Sequence, residues 1–146
     1  MKLFGPKKQH FLRLMDVACA VIRQEGKILI TRRRKNDYLG GLWEFPGGKR
    51  IAGESLIACL VREIVEELAA RVEPLRFLKQ ISYRYPDRQV HLYFYECRLL
   101  EGRPWPRGCQ EFRWVLPSEL RRYDFPPADE EILRDLVFQS YFSKRI

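Results

Sequence analysis

Apolar and polar positions first follow the short period of extended chain and then change to a helical period. Residues 17–23 and 27–33 are aliphatic, β-branched runs separated by Gln24, Glu25 and Gly26, which predicts a hairpin with glycine in its turn. Residues 42–46 form a short extended piece before the break at Gly47 and Gly48. From residue 55 to 69 the apolar positions become Leu56, Leu60, Ile64 and Leu68, flanked by Ile57, Val61 and Val65. That stripe predicts an amphipathic helix, with Ser55 as its N-cap. Residues 72–85 and 89–99 predict two longer strands joined around Pro86, Asp87 and Arg88, the second alternating His91, Tyr93 and Tyr95 with Leu92 and Phe94. A loop over 102–108 leads to a short strand at 112–115, a helical turn at 117–120 and a last helix from residue 127 or 128 to about 142. The order β–β–β–α–β–β–β–α predicts an α/β (α+β) sandwich, helices packed on a mixed sheet.

Composition narrows this picture slightly. The 146 residues suit one domain (1–146), with residues 1–14 as a basic N-terminal extension, and the hydrophobic fraction of 46% fits a globular core. No apolar run approaches the roughly 20 residues that span a bilayer. The N-terminal stretch lacks the apolar centre of a signal peptide, so a cytoplasmic location is expected. Cys19, Cys59, Cys97 and Cys109 are irregularly spaced, which predicts reduced, mostly buried thiols and no zinc site. The net charge of +8, concentrated at Lys2, Lys7, Lys8 and Arg13 and again at Arg32, Arg33, Arg34 and Lys35, favours an anionic partner. No recognition helix or RNA-binding signature accompanies it, so nucleic acid is disfavoured.

The strongest chemical signal lies on the predicted helix. Glu63, Glu66 and Glu67 stand at i, i+3 and i+4, which puts three carboxylates on one face. Such like charges repel unless a cation is shared among them, and hard divalent ions take carboxylate oxygens. A solvated face, with Arg62 and Glu66 as an i,i+4 ion pair, is the plainer alternative. Glu54 and the preceding glycine break change the balance: a strand–loop–helix cradle can bring backbone to phosphates while the helix supplies metal ligands.

The stretch from Gly48 to Glu67 resembles the Nudix signature. Gly48, Glu54, Arg62, Glu63, Ile64, Glu66 and Glu67 all match it in spacing. Ala69 stands where the family has glycine and Ala70 where it has a larger aliphatic residue, so altered helix termination is expected there, with the chemistry retained. The likeness extends from about residue 17 to 136. Ile30-Thr31-Arg32-Arg33, Trp43 through Lys49, Tyr85 through Arg88, Pro104-Trp105 and Asp124 through Asp129 are similar to the MutT-type branch, the 8-oxo-dGTP diphosphatases.

That resemblance implies a Nudix-like α/β/α sandwich with a mixed β-sheet between helices. It also implies hydrolysis of a nucleoside triphosphate to the monophosphate and pyrophosphate with Mg²⁺ or Mn²⁺. Glu63, Glu66 and Glu67 would be metal ligands, with the Gly48 carbonyl as a further one and Glu63 also activating water. Arg62 would orient the acids, and Arg33, Tyr85, Arg88 and Asp129 would line the nucleotide pocket. Two departures stand out. Gly108 replaces an acid that the branch carries two residues before Gln110, and the expectation is that Glu111, the nearest acid, or bulk water fills that coordination role, or that turnover is slower. Asp129 stands where relatives carry Asn, which leaves the base open: an ionised Asp accepts only, whereas a neutral one also donates. A hydrolase for CTP or modified pyrimidine nucleotides is therefore a rival. A non-catalytic 8-oxoguanine reader, like the C-terminal domain of MutY-type glycosylases, is a second, although that domain lacks the full acid set.

Overall fold

The structure, a computed structural model, describes residues 13–143. Of the basic extension expected at 1–14, residues 1–12 lie outside the described residues. Arg13 and Leu14 already belong to the first strand.

Strand β1 (Arg13–Gln24) turns through Glu25 and Gly26 into β2 (Lys27–Arg32). Both turn residues have positive φ, 51° and 78°, the geometry of a two-residue type I′ hairpin. β3 (Trp43–Glu44) and β4 (Gly47–Lys49) replace the single extended piece expected at 42–46. There follow α1 (Leu56–Leu68), β5 (Arg71–Arg84), β6 (Arg88–Glu101), β7 (Glu111–Val115), a 3-10 turn at Pro117–Arg122, another at Pro127–Asp129, and α2 (Glu130–Ser143).

The sheet runs β3-β2-β1-β6-β5, with β4 paired to β1 and β7 to β2. β1 and β6 are parallel, from Arg13 opposite Arg88 to Ile22 opposite Cys97, and the other pairings are antiparallel. The mixed sheet expected from the sequence is therefore present. The long β1–β6 ladder also explains why β1 begins at Arg13 and not at residue 17, since pairing with a distant strand extends it beyond the local apolar run.

Alternation along β1 divides the core into two layers. Ala18, Ala20 and Ile22 pack with Leu60, Ile64 and Leu68 of α1. Cys19 and Val21 face the other way, towards Phe94 and, from α2, Ile132, Leu133 and Leu136. Helices thus cover both faces of the sheet. All four cysteines are free and buried. Among the described residues no helix is long and apolar enough to cross a membrane.

The Ser55 hydroxyl accepts the Ala58 N–H at 3.1 Å and caps α1 as expected. The other end corrects the sequence expectation. Ala69 adopts φ 51°, ψ 34°, the left-handed conformation that glycine would supply, and its N–H bonds the Val65 carbonyl. The helix terminates in the usual way, at a cost of about 1 kcal/mol for the Cβ. Loop 102–110 satisfies the last carbonyls: Trp105 N–H donates to Leu68 O at 2.8 Å and Gly108 N–H to Glu67 O at 2.9 Å.

Candidate active site

The turn between β3 and β4 places glycine backbone directly against the acidic face of α1. A Cβ at Gly47 would collide with the Ala18 carbonyl of β1, and one at Gly48 would overlap the Glu63 carboxylate. At Gly47 only glycine lets β4 lie against β1, and at Gly48 the missing side chain leaves room for the Glu63 carboxylate. Residue choice in the turn therefore creates the cradle.

Arg62 organises the outer part of this cluster. Its Nη2 donates to Glu54 Oε1 at 2.7 Å and to the Lys49 carbonyl at 3.1 Å, while Nε donates to Glu54 Oε2 at 3.1 Å. Nη1 donates to Glu63 Oε1 at 2.8 Å and reaches both Glu66 oxygens at 3.2 and 3.3 Å. One planar guanidinium thus relieves repulsion among three carboxylates. Its hydrogen bonds, chiefly, hold the Glu54 carboxyl down at about 2.

Glu67 lies deeper, 9% exposed. It accepts from the Thr31 hydroxyl at 2.9 Å and from the Gly47 N–H at 3.3 Å. Burial, then the nearby Glu44 charge, pushes its carboxyl up to about 8. Burial also raises Glu63, against the opposing effect of Arg62. Bound positive charge would favour the ionised forms of both.

A cleft of about 140 Å³ opens on the other side of Gly47 and Gly48. Arg33, Tyr85, Arg88 and Asp129, separated widely in sequence, all line it, over a floor that includes Val17, Val90 and Leu92. Arg33 donates to Glu44 Oε2 at 2.9 Å and to the Tyr38 carbonyl at 2.6 Å. The Arg88 guanidinium lies 3.6 Å from the centre of the Tyr38 ring, a cation–π contact. Asp129 is 6% exposed and its carboxyl has no hydrogen bond or ion pair among the described residues. Burial first, and Glu44 second, raises its pKa well above the ordinary carboxylate range.

Glu111 does not join the cluster. It pairs with Arg32 in the β2–β7 ladder, while Phe112 pairs with Thr31. Because Thr31 faces Glu67, the neighbouring residue on β7 points to the opposite side of the sheet. There Glu111 forms an ion pair with Arg113 at 3.2 Å. The expectation that it replaces the acid missing at Gly108 is corrected accordingly.

Three contributors carried no role in the sequence reading. Glu44 and Tyr38 line the cleft, and Thr31 anchors Glu67. Strand alternation could have placed Thr31 with Leu29, facing the helix. Glu44 and Tyr38 gave no local signal.

The NUDIX domain family matches residues 17–135. The chain belongs to this family. As a Nudix hydrolase it is similar to the 8-oxo-dGTP diphosphatase of Escherichia coli (strain K12), 33% identical over 126 residues, 86% of this chain and 98% of the relative. It is also similar to the CTP pyrophosphohydrolase of the same organism, 31% identical over 122 residues, 84% and 90% of the two chains. A solved MutT structure, from work on the Aliivibrio salmonicida and Vibrio cholerae proteins, superposes with a TM-score of 0.71 at 27% identity, covering 85% of this chain and 96% of that one.

Nudix hydrolases generally use divalent metal ions, and the donor chemistry here fits one. Glu63, Glu66, Glu67 and the Gly48 carbonyl offer only hard oxygen donors. The Cys59 thiol acts as a weak donor to the Gly48 carbonyl at 3.5 Å. Among the described residues no three acidic, histidine or cysteine side chains already form a group placed to hold a metal ion.

Proposed function

We propose that this Nudix hydrolase, a single catalytic domain, cleaves 8-oxo-dGTP to 8-oxo-dGMP and pyrophosphate with Mg²⁺ or Mn²⁺. The observation that carries the reading is continuity: the cleft holding Asp129 meets the Glu63 carboxylate at the Gly48 backbone. A base in the cleft would direct its phosphates over the glycines towards the acids.

Glu63, Glu66, Glu67 and the Gly48 carbonyl would hold the metal, which when bound neutralises phosphate charge and polarises phosphorus. Glu63 accepts the proton of the attacking water, a role suited to a carboxylate whose pKa burial raises. Arg62 fixes the position of Glu63 and Glu66, and Thr31 with Gly47 fixes Glu67.

Base choice rests on Asp129. Buried and neutral, a carboxylic acid presents one donor beside one acceptor. That pattern complements the O6 and N7–H edge of 8-oxoguanine, whereas ordinary guanine offers two acceptors there. Tyr85 and Arg88 would bound the nucleoside, and Arg33, held by Glu44, would reach its base or phosphate.

The second reading is CTP or modified pyrimidine nucleotide hydrolysis. The similarity to a CTP pyrophosphohydrolase favours it, and cytosine also presents an acceptor (N3) beside a donor (N4–H). A panel of ordinary, oxidised and methylated nucleoside triphosphates, assayed for pyrophosphate release, separates the two. A higher kcat/KM for 8-oxo-dGTP than for dGTP and CTP supports the first reading, and a preference for CTP replaces it with the second.

A further inference from the structure

Loop 102–110 lies along the outer rim of the acidic site. It is tied to α1 by Trp105 and Gly108, and to β2 by Gln110, whose N–H donates to the Arg32 carbonyl at 2.8 Å. Gly108 sits so close that a Cβ would lie 3.1 Å from Glu67 Cα and 3.3 Å from the Glu66 carbonyl oxygen. A side chain there would be tight, needing the helix backbone to give by a few tenths of an ångström. The loop brings no acid to this rim.

Cations occupy it instead. Arg107, next to Gly108, shares a groove with Arg62 and Glu66. Arg34 reaches across from the end of β2 and donates from Nη2 to the Arg107 carbonyl at 2.7 Å. Both arginines are exposed. The Arg107 guanidinium has no hydrogen bond or ion pair among the described residues. Two positive groups thus stand beside the groove that Glu66 lines, one of them pinned to the backbone of the other.

We infer that Arg34 and Arg107 form a clamp for the terminal phosphates of the substrate, and so for the pyrophosphate that leaves. The inference rests on the proposed hydrolysis of a nucleoside triphosphate. Guanidinium forks match phosphate oxygens in geometry as well as charge. Here they supply at the rim the positive charge that an acidic loop would have to recruit as an additional cation.

Inorganic tripolyphosphate and a nucleoside monophosphate are the probes, titrated calorimetrically in magnesium-containing buffer. Arg34→Ala and Arg107→Ala should each weaken tripolyphosphate about tenfold, the loss of one hydrogen bond to a charged group, and leave the monophosphate unchanged. Arg107→Lys should restore part of the loss, and Arg103→Ala, an exposed arginine of the same loop, should do nothing. Unchanged tripolyphosphate binding in the double variant overturns the clamp. Equal weakening of both probes, or an equal effect of Arg103→Ala, reduces it to a general field and overturns it as well. Because binding is read without turnover, a wild-type protein inactive on every nucleotide but showing this contrast would sink the proposed function and leave the clamp standing.

Discussion

Asp129 carries the most specific prediction. Its carboxyl is buried beside Glu44, has no hydrogen-bond partner among the described residues, and is raised by burial well above the ordinary carboxylate range. Asp129→Asn keeps a donor beside an acceptor, whereas Asp129→Ala removes both. A hydrogen bond contributes about 0.5–1.5 kcal/mol net, so losing two removes about 1–3 kcal/mol of transition-state binding. At 1.36 kcal/mol per factor of ten, kcat/KM for 8-oxo-dGTP should fall roughly 5- to 150-fold in the Ala variant. The rate on dGTP, which offers no N7–H, should change much less. The assay is steady-state pyrophosphate release on both nucleotides for wild type and both variants. Undiminished preference for 8-oxo-dGTP in Asp129→Ala, or loss of that preference in Asp129→Asn, would refute the reasoning.

The same geometry yields further outcomes. Ala69→Gly relieves a left-handed Cβ and should raise stability by about 0.5–1 kcal/mol, measured by urea unfolding. Glu111→Gln should leave kcat with magnesium unchanged, since Glu111 pairs with Arg113 on the far side of the sheet; a large loss would return it to the site. Glu67 gives a pH dependence. Its folded pKa, about 8 against the ordinary 4.5, means that the native state binds this proton more tightly than the unfolded one. The stability it contributes is complete below about 4.5 and is lost as pH rises towards 8. Metal-free protein should therefore show a falling Tm between pH 5 and pH 8 by calorimetry, and magnesium chloride should offset the fall.

How much of this was legible in the sequence differs from residue to residue. The α1 acids were readable because helical periodicity fixes their common face, and Ser55 was readable as a cap because capping is local. Arg33, Tyr85, Arg88 and Asp129 were singled out through resemblance, and the structure lines one cleft with all four. Glu44 was not legible, because its importance comes from strands that pack it between Arg33, Glu67 and Asp129. Glu111 shows the opposite failure. A one-residue step along a strand reverses the face, and spacing from Gln110 could not show that β7 turns it away. At Ala69, local preference argued against a left-handed residue, yet the loop tied to Leu68 and Glu67 requires the chain to turn there.

The central claim is that the acids gathered on α1 carry out phosphate hydrolysis. Turnover of 8-oxo-dGTP in the presence of magnesium, compared between wild type and the Glu63→Gln, Glu67→Gln double variant, tests it most directly. The account predicts pyrophosphate release by wild type and a loss of at least about 10²-fold in kcat in the variant, with folding retained by circular dichroism. Turnover surviving in the variant would contradict it.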